Sequence, residues 1–139
     1  MPGQVVILVA SAFIEKDGKY LVLQRSDKNM TNKGRWQLPE GKVRPGENLL
    51  KALRREILEE TSTMLTSVKL FGIHSNIMRK GRGIFRVVRV VFKCKTIGKI
   101  KLSKDHKDYK WASLKENLEF MDGFDPKNII SVKKVKDVF

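Results

Sequence analysis

Between residues 41 and 63 the chain reads GKVRPGENLLKALRREILEETST, and this segment limits what the chain can fold into more than any other. Glu56, Glu59 and Glu60 fall at i, i+3 and i+4, so on a helix turning about 100° per residue they share one face. Leu50, Leu53 and Ile57 form a second stripe beside them, which predicts a helix with one buried side and carboxylates at its margin. Asn48 follows the Pro45-Gly46 turn and is placed to cap that helix, which runs to about Thr61. Arg55 precedes Glu56 and lies one turn before Glu59, where a guanidinium can hydrogen-bond a carboxylate and fix its rotamer. Hard cations such as Mg²⁺ and Mn²⁺ want oxygen ligands, commonly a few carboxylates completed by water and substrate phosphate. An isolated E-x-x-E-E is usually a solvated helix face; the Gly/Pro loop just ahead of this one shifts the reading toward a cation site.

The 139 residues fit one domain, and a hydrophobic content of 41% suffices for a core. Strand-like runs over residues 5–14 and 20–24 flank Lys16-Asp17-Gly18, a hairpin signal. Residues 68–78 and 84–94 read as two further strands around the basic turn Arg79-Lys80-Gly81-Arg82-Gly83. Residues 109–112 read as a short strand and 126–138 as a closing helix. No apolar stretch is long enough for a membrane span, and residues 5–14 lack the flanks of a signal peptide. Cys94 has no partner cysteine, which points to a reducing, cytoplasmic setting.

The segment 41–63 resembles the signature of the Nudix hydrolase family, G-x5-E-x7-R-E-U-x-E-E-x-G-U with U a bulky aliphatic residue. Gly41, Glu47, Arg55, Glu56, Ile57, Glu59 and Glu60 stand at the required spacing. Ser62 replaces the family's Gly and Thr63 its aliphatic residue, beyond the carboxylates, where the helix exit rather than the chemistry is affected. Trp36-Gln37-Leu38-Pro39 is similar to the family's W-x-(L/F)-P lead, with Glu40-Gly41 where Gly-Gly is customary. The resemblance implies a single α/β domain over nearly the whole chain: an α/β/α sandwich with a mixed sheet and the Nudix loop-helix-loop. It also implies divalent-metal-dependent hydrolysis of a pyrophosphate link in a nucleoside diphosphate-linked substrate, a (deoxy)nucleoside triphosphate or a dinucleoside polyphosphate above all.

By that resemblance Glu56, Glu59 and Glu60 coordinate Mg²⁺ or Mn²⁺ together with a carbonyl of the Glu40-Gly41 turn, and Glu47 supports them from the loop. Arg55 is an orienting residue. Asp105 is a metal ligand or the general base, with Glu56 the competing base, since Asp105-His106-Lys107-Asp108-Tyr109-Lys110-Trp111 is similar to an E-H-x-x-Y-x-W pattern that carries a further acidic residue in some members. His74, in a strand-like run, is expected to be structural.

The second strong feature is charge. Lys and Arg number 29 against 15 Asp and Glu, a net +14, and within 41–63 the two nearly balance, so the excess lies elsewhere. Such a field steers polyanions toward a cation-bearing cleft. Arg25, Arg35, Arg86 and Arg89 are candidate phosphate contacts, and Trp36, Phe71 and Phe85 candidate base-stacking rings, although strand aromatics are usually core. The expected partner is a nucleotide or another pyrophosphate-containing small molecule bound by a monomer or homodimer. The alternative is nucleic acid, engaged by an RNA 5′-end pyrophosphohydrolase or a non-catalytic Nudix module. Against it, the lysines are dispersed and no aromatic-basic RNA motif is visible.

Overall fold

The computed structural model describes residues 5–27, 33–121 and 123–132. β1 (Val5–Lys16) and β2 (Lys19–Arg25) meet across Asp17-Gly18, with φ of 51° and 75°, the left-handed pair that suits the twist of a tight hairpin. Two short strands, β3 (Trp36–Gln37) and β4 (Glu40–Lys42), lead into the loop before α1 (Leu49–Thr61). The long hairpin of β5 (Met64–Lys80) and β6 (Gly83–Ile97) follows, then β7 (His106–Ala112), α2 (Leu114–Glu119), a single 3-10 turn (Pro126–Asn128) and β8 (Ile129–Ser131).

The strands run in the order β3-β2-β1-β6-β5-β8, with β4 also on β1 and β7 on β2. β1 and β6 pair in parallel over ten residues while every other pairing is antiparallel, so the sheet is mixed. Period-two alternation along β1 divides the core. Ala10, Ala12 and Ile14 pack with Ala52, Leu53 and Ile57 of α1 on one face, while Phe13 on the other face joins Val91 and the α2 residues Leu114 and Leu118. The result is the α/β layering expected from the sequence.

Several boundaries differ from the sequence reading. Arg79 and Lys80 belong to β5, so the basic turn shrinks to Gly81-Arg82. α2 was not anticipated, although Ser113 and Glu116 form a reciprocal capping box. The expected closing helix over 126–138 is absent at its start: residues 126–128 are one 3-10 turn and 129–131 a strand on β5, because β5 offers an open edge; residues 133–139 lie outside the described residues. On α1 the buried stripe is Ala52, Leu53, Ile57 and Thr61, whereas Leu50 is 42% exposed, since β1 and β4 meet the helix on a side rotated toward Ala52. Among the described residues no helix is long and apolar enough to cross a membrane.

The ends of α1 follow from side-chain chemistry. Asn48 Oδ1 accepts from the Lys51 N–H at 2.9 Å. Ser62 stands where the signature has Gly and adopts φ 60°, ψ 20°, with its N–H on the Leu58 carbonyl. Its Oγ donates to the Lys101 carbonyl at 3.0 Å. Thr63 is buried, and its hydroxyl is satisfied by Thr61 Oγ1 at 2.6 Å, which also bonds the Ile57 carbonyl at 2.7 Å. A left-handed conformation costs a side-chain-bearing residue about 1–2 kcal/mol, part of which glycine returns through the entropy of the unfolded chain. Ser62→Gly is therefore expected to be more stable than Ser62→Ala by about 1 kcal/mol in urea denaturation; equal stabilities would show that the strain at residue 62 is negligible.

Candidate active site

Arg55 organises the acidic face. Its Nε and Nη2 donate to the two Glu47 oxygens at 2.7 and 2.9 Å, a bidentate pair, while Nη2 also reaches the Lys42 carbonyl at 3.0 Å. Nη1 donates to Glu56 Oε1 at 2.5 Å and to Glu59 Oε2 at 3.4 Å. Glu47 is further held by the Arg44 N–H at 2.8 Å, so the loop ahead of α1 is clamped onto the helix by one guanidinium. The hydrogen bonds from Arg55 and then from Arg44 hold the Glu47 carboxyl down at about 2.

The three helix carboxylates stand in different environments. Glu59 is half exposed, with Arg44 at 3.9 Å. Glu56 is largely covered and lies directly beneath Gly41, where a Cβ would overlap its carboxyl group. This close approach, not an unusual backbone angle, is the reason for glycine at residue 41. Glu60 turns its carboxyl inward, toward the Glu40 backbone N–H and the Glu56 carboxylate: Oε2 is enclosed and without a hydrogen-bond partner. Burial, then the charges of Glu56 and Glu40, push the Glu60 carboxyl well above the usual carboxylate range.

These features fit a hard divalent cation. An enclosed, unpartnered carboxylate oxygen facing a second carboxylate is costly alone and favourable beside a positive charge. Among the described residues no three Asp, Glu, His or Cys side chains form a ready cage. A cation held by Glu56 and Glu60 would therefore complete its shell from backbone and solvent oxygens, as Mg²⁺ commonly does.

Glu40 points the other way. Its neighbour Gly41 pairs with Ala10 on the α1 side of the sheet, whereas Glu40 pairs with Ser11 and projects onto the opposite face. There Oε2 accepts from Ser11 Oγ at 2.6 Å and from Arg89 Nε at 3.1 Å. Its side chain is thus an internal counter-charge rather than an extra acid at the mouth. A cleft of about 390 Å³ opens over this face, lined by Arg25, Gln37, Glu40, Gly41, Lys42, Lys80, Phe85 and Arg89 above an apolar floor of Ile7, Val9, Met78 and Val87.

The remaining candidates divide around this cleft. Arg25, Phe85 and Arg89 line it, Arg89 being only 4% exposed. Trp36 packs on the α2-side core with the Lys110 ammonium 4.4 Å above its ring, and Phe71 stacks edge-to-face on Phe13. Arg86 is turned to the other face of the sheet, where Nη1 donates to Ser75 Oγ at 3.1 Å. Arg35 is exposed beside the cleft-lining strand β2, its carbonyl accepting the Arg25 N–H.

Asp105 is exposed on a loop fastened on both sides: the Ser103 N–H bonds the Glu60 carbonyl at 3.3 Å, and the Asp105 carbonyl accepts the Ser26 N–H at 2.9 Å. Next to it, buried His106 meets Gln37 at 2.9 Å through Nε2. Burial, then Arg25, lowers the His106 pKa, with Asp105 opposing. His74 is structural: fully buried, stacked on Phe124, it accepts the Asp125 N–H at Nε2.

Sequence reasoning missed Ser11, Gln37, Lys42, Asn76 and Lys80. A lone Ser inside the apolar run 5–14 was a readable signal for the first. Asn76 was not readable, because its meeting with Arg89 depends on the β5–β6 register, which shifts between Leu65 and Ser67 and between Leu70 and Gly72.

A carboxylate-bearing helix fitted for a cation, backed by a cationic cleft across the shared strand β4, defines a class of enzyme built to act on phosphoric anhydrides. Residues 5–132 match the family model of the NUDIX domain, and the chain belongs to the Nudix hydrolase family. Nucleoside triphosphatase NudI of Escherichia coli O1:K1 / APEC is 30% identical over 112 residues, which cover 75% of this chain and 79% of NudI. The MutT protein from Methanosarcina mazei Go1 superposes with a TM-score of 0.65 at 29% identity, covering 92% of this chain and 99% of that one. The MutT NUDIX hydrolase from Burkholderia pseudomallei gives 0.69 at 26% identity over 81% of this chain and 86% of that one.

The Glu47–Arg55 clamp yields a pH signature. Glu47 titrates at about 2 in the folded chain against 4.5 ordinarily, so its contribution to stability is present above pH 4.5 and is lost as the pH falls toward 2. Glu47→Gln is expected to melt below the wild type at pH 7, with the difference closing between pH 4.5 and 2. A difference independent of pH would mean that the carboxylate charge is not what holds the clamp.

Proposed function

We propose that this Nudix hydrolase cleaves a phosphoric anhydride bond of a nucleoside triphosphate by water attack on phosphorus, with Mg²⁺ or Mn²⁺ held at Glu56 and Glu60 and by a carbonyl of Glu40-Gly41 in β4. The observation that carries this reading is the shared wall: Glu40 and Gly41 line the cleft, and Gly41 also lies against the Glu56 carboxylate. A nucleotide seated there would have Phe85 and the apolar floor for its base and sugar, and Arg25, Lys42 and Lys80 for its phosphates. The relative NudI, a nucleoside triphosphatase, supports that substrate class.

Bound at this site, the cation supplies positive charge on the phosphate oxygens and lowers the proton affinity of a coordinated water. The chain's own residues do the rest. Glu56 takes the proton of the attacking water, with Arg55 fixing its rotamer. Glu59, half exposed, completes the acidic rim. Asp105, exposed on the loop whose backbone is bonded to Glu60 and Ser26, is the second carboxylate assigned to the role of base. Lys80, which lines the cleft, with Arg79 and Arg82 at the tip of the β5–β6 hairpin, favours longer phosphorylated substrates as the second reading, dinucleoside polyphosphates or RNA 5′ ends.

The test is product-resolved hydrolysis with Mg²⁺ across nucleoside triphosphates, dinucleoside polyphosphates and 5′-triphosphorylated RNA. Release of nucleoside monophosphate and pyrophosphate from a triphosphate is expected, with kcat falling about 10²- to 10⁴-fold in Glu56→Gln. Turnover confined to RNA would replace this reading with the second one. No turnover of any substrate, with RNA still bound, would leave a binding module.

A further inference from the structure

Glu40 and Arg89 meet on the cleft face of the sheet, behind the strand that carries Gly41 onto the carboxylates. Arg89, on β6, lies beside Val9 of β1 and His74 of β5, with its side chain almost wholly enclosed. A guanidinium removed from water persists only where counter-charge and hydrogen-bond acceptors are supplied. Asn76 Oδ1 accepts from Nη1 at 3.0 Å and Glu40 Oε2 accepts from Nε at 3.1 Å. Ser11 Oγ grips the same Glu40 oxygen at 2.6 Å. On its far side, the backbone of the same short strand β4 meets the helix: Gly41 lies against Glu56, and the Glu40 N–H faces the Glu60 carboxyl. One residue is thus anchored by its side chain on the cleft face and applied by its backbone to the carboxylate face.

We propose that Arg89 is a positioning residue for the carboxylate cluster: braced by Asn76, it holds Glu40 from the cleft side and so fixes the Glu40-Gly41 backbone against Glu60 and Glu56. The proposal rests on the reading of those carboxylates as the cation site. Residues that orient a metal site from behind its ligands are typically worth ten- to a hundredfold in metal affinity. Charge alone predicts the opposite sign, since deleting a positive group beside a cation site strengthens cation binding.

The experiment titrates Mn²⁺ alone into the intact protein and follows the free ion by electron paramagnetic resonance, with thermal melts to establish folding. Arg89→Met is expected to raise the Mn²⁺ Kd about tenfold or more, and Ser11→Ala, which removes only the second grip on Glu40, to raise it in the same direction by less. Mn²⁺ binding by Arg89→Met as tight as the wild type's, or tighter, would overturn the proposal. Should Arg89→Met not fold, an unchanged Kd in Ser11→Ala would overturn it. A wild type that binds Mn²⁺ with the expected losses in the variants, yet hydrolyses no nucleotide, would retain the positioning role and reject the proposed function. A wild type that binds no Mn²⁺ would reject both.

Discussion

The two parallel hydrogen bonds between Arg55 and Glu47 tie the loop before α1 to the middle of the helix, and the placement of the acidic face follows from that tie. With its Nε and Nη2 committed to Glu47 and the Lys42 carbonyl, the guanidinium has one orientation, and its remaining edge fixes Glu56 and reaches Glu59. A lysine would supply the charge without the fork and could not brace loop and helix at once. Strand β4, which leads into the loop so held, brings Gly41 onto Glu56 at a packing distance that admits no side chain. Clamp and close approach together turn an acidic helix face into a shaped site.

The second constraint is the alternation of β4. Successive residues of a strand face opposite sides, so Gly41 and Glu40 necessarily divide between the helix layer and the cleft. Cleft and carboxylates therefore share a wall one strand thick. The parallel β1–β6 pairing brings Arg89 beside Val9 and so beneath that wall. A side chain lining the cleft is in this way one residue removed from the groups that would hold the cation.

Much of this was legible in the sequence, because the information is local. Asn48 as cap, the helix end at Thr61 and the Asp17-Gly18 hairpin depend on neighbours within a turn or two, and the structure has each of them. Ser62 shows the same economy: the left-handed exit that the signature serves with glycine is retained by a serine. What escaped depends on register and on competition between elements. Leu50 matched the stripe by spacing, yet the helix buries Ala52 instead. Residues 129–131 read as helix and became an edge strand because β5 had an unpaired side. Arg86 and Arg89 are alike in sequence, and only the odd spacing between them puts one in the cleft and the other on the opposite face.

The carboxylates of α1 and the Glu40-Gly41 backbone of β4 together would make one cation site. The most direct measurement is an anomalous difference map from crystals grown with Mn²⁺, recorded for the wild type and for Glu60→Gln. A peak bounded by Glu56, Glu60 and a backbone carbonyl of Glu40-Gly41 in β4 is expected, weakened or lost in the variant. A peak elsewhere, or one unaltered in Glu60→Gln, would contradict it.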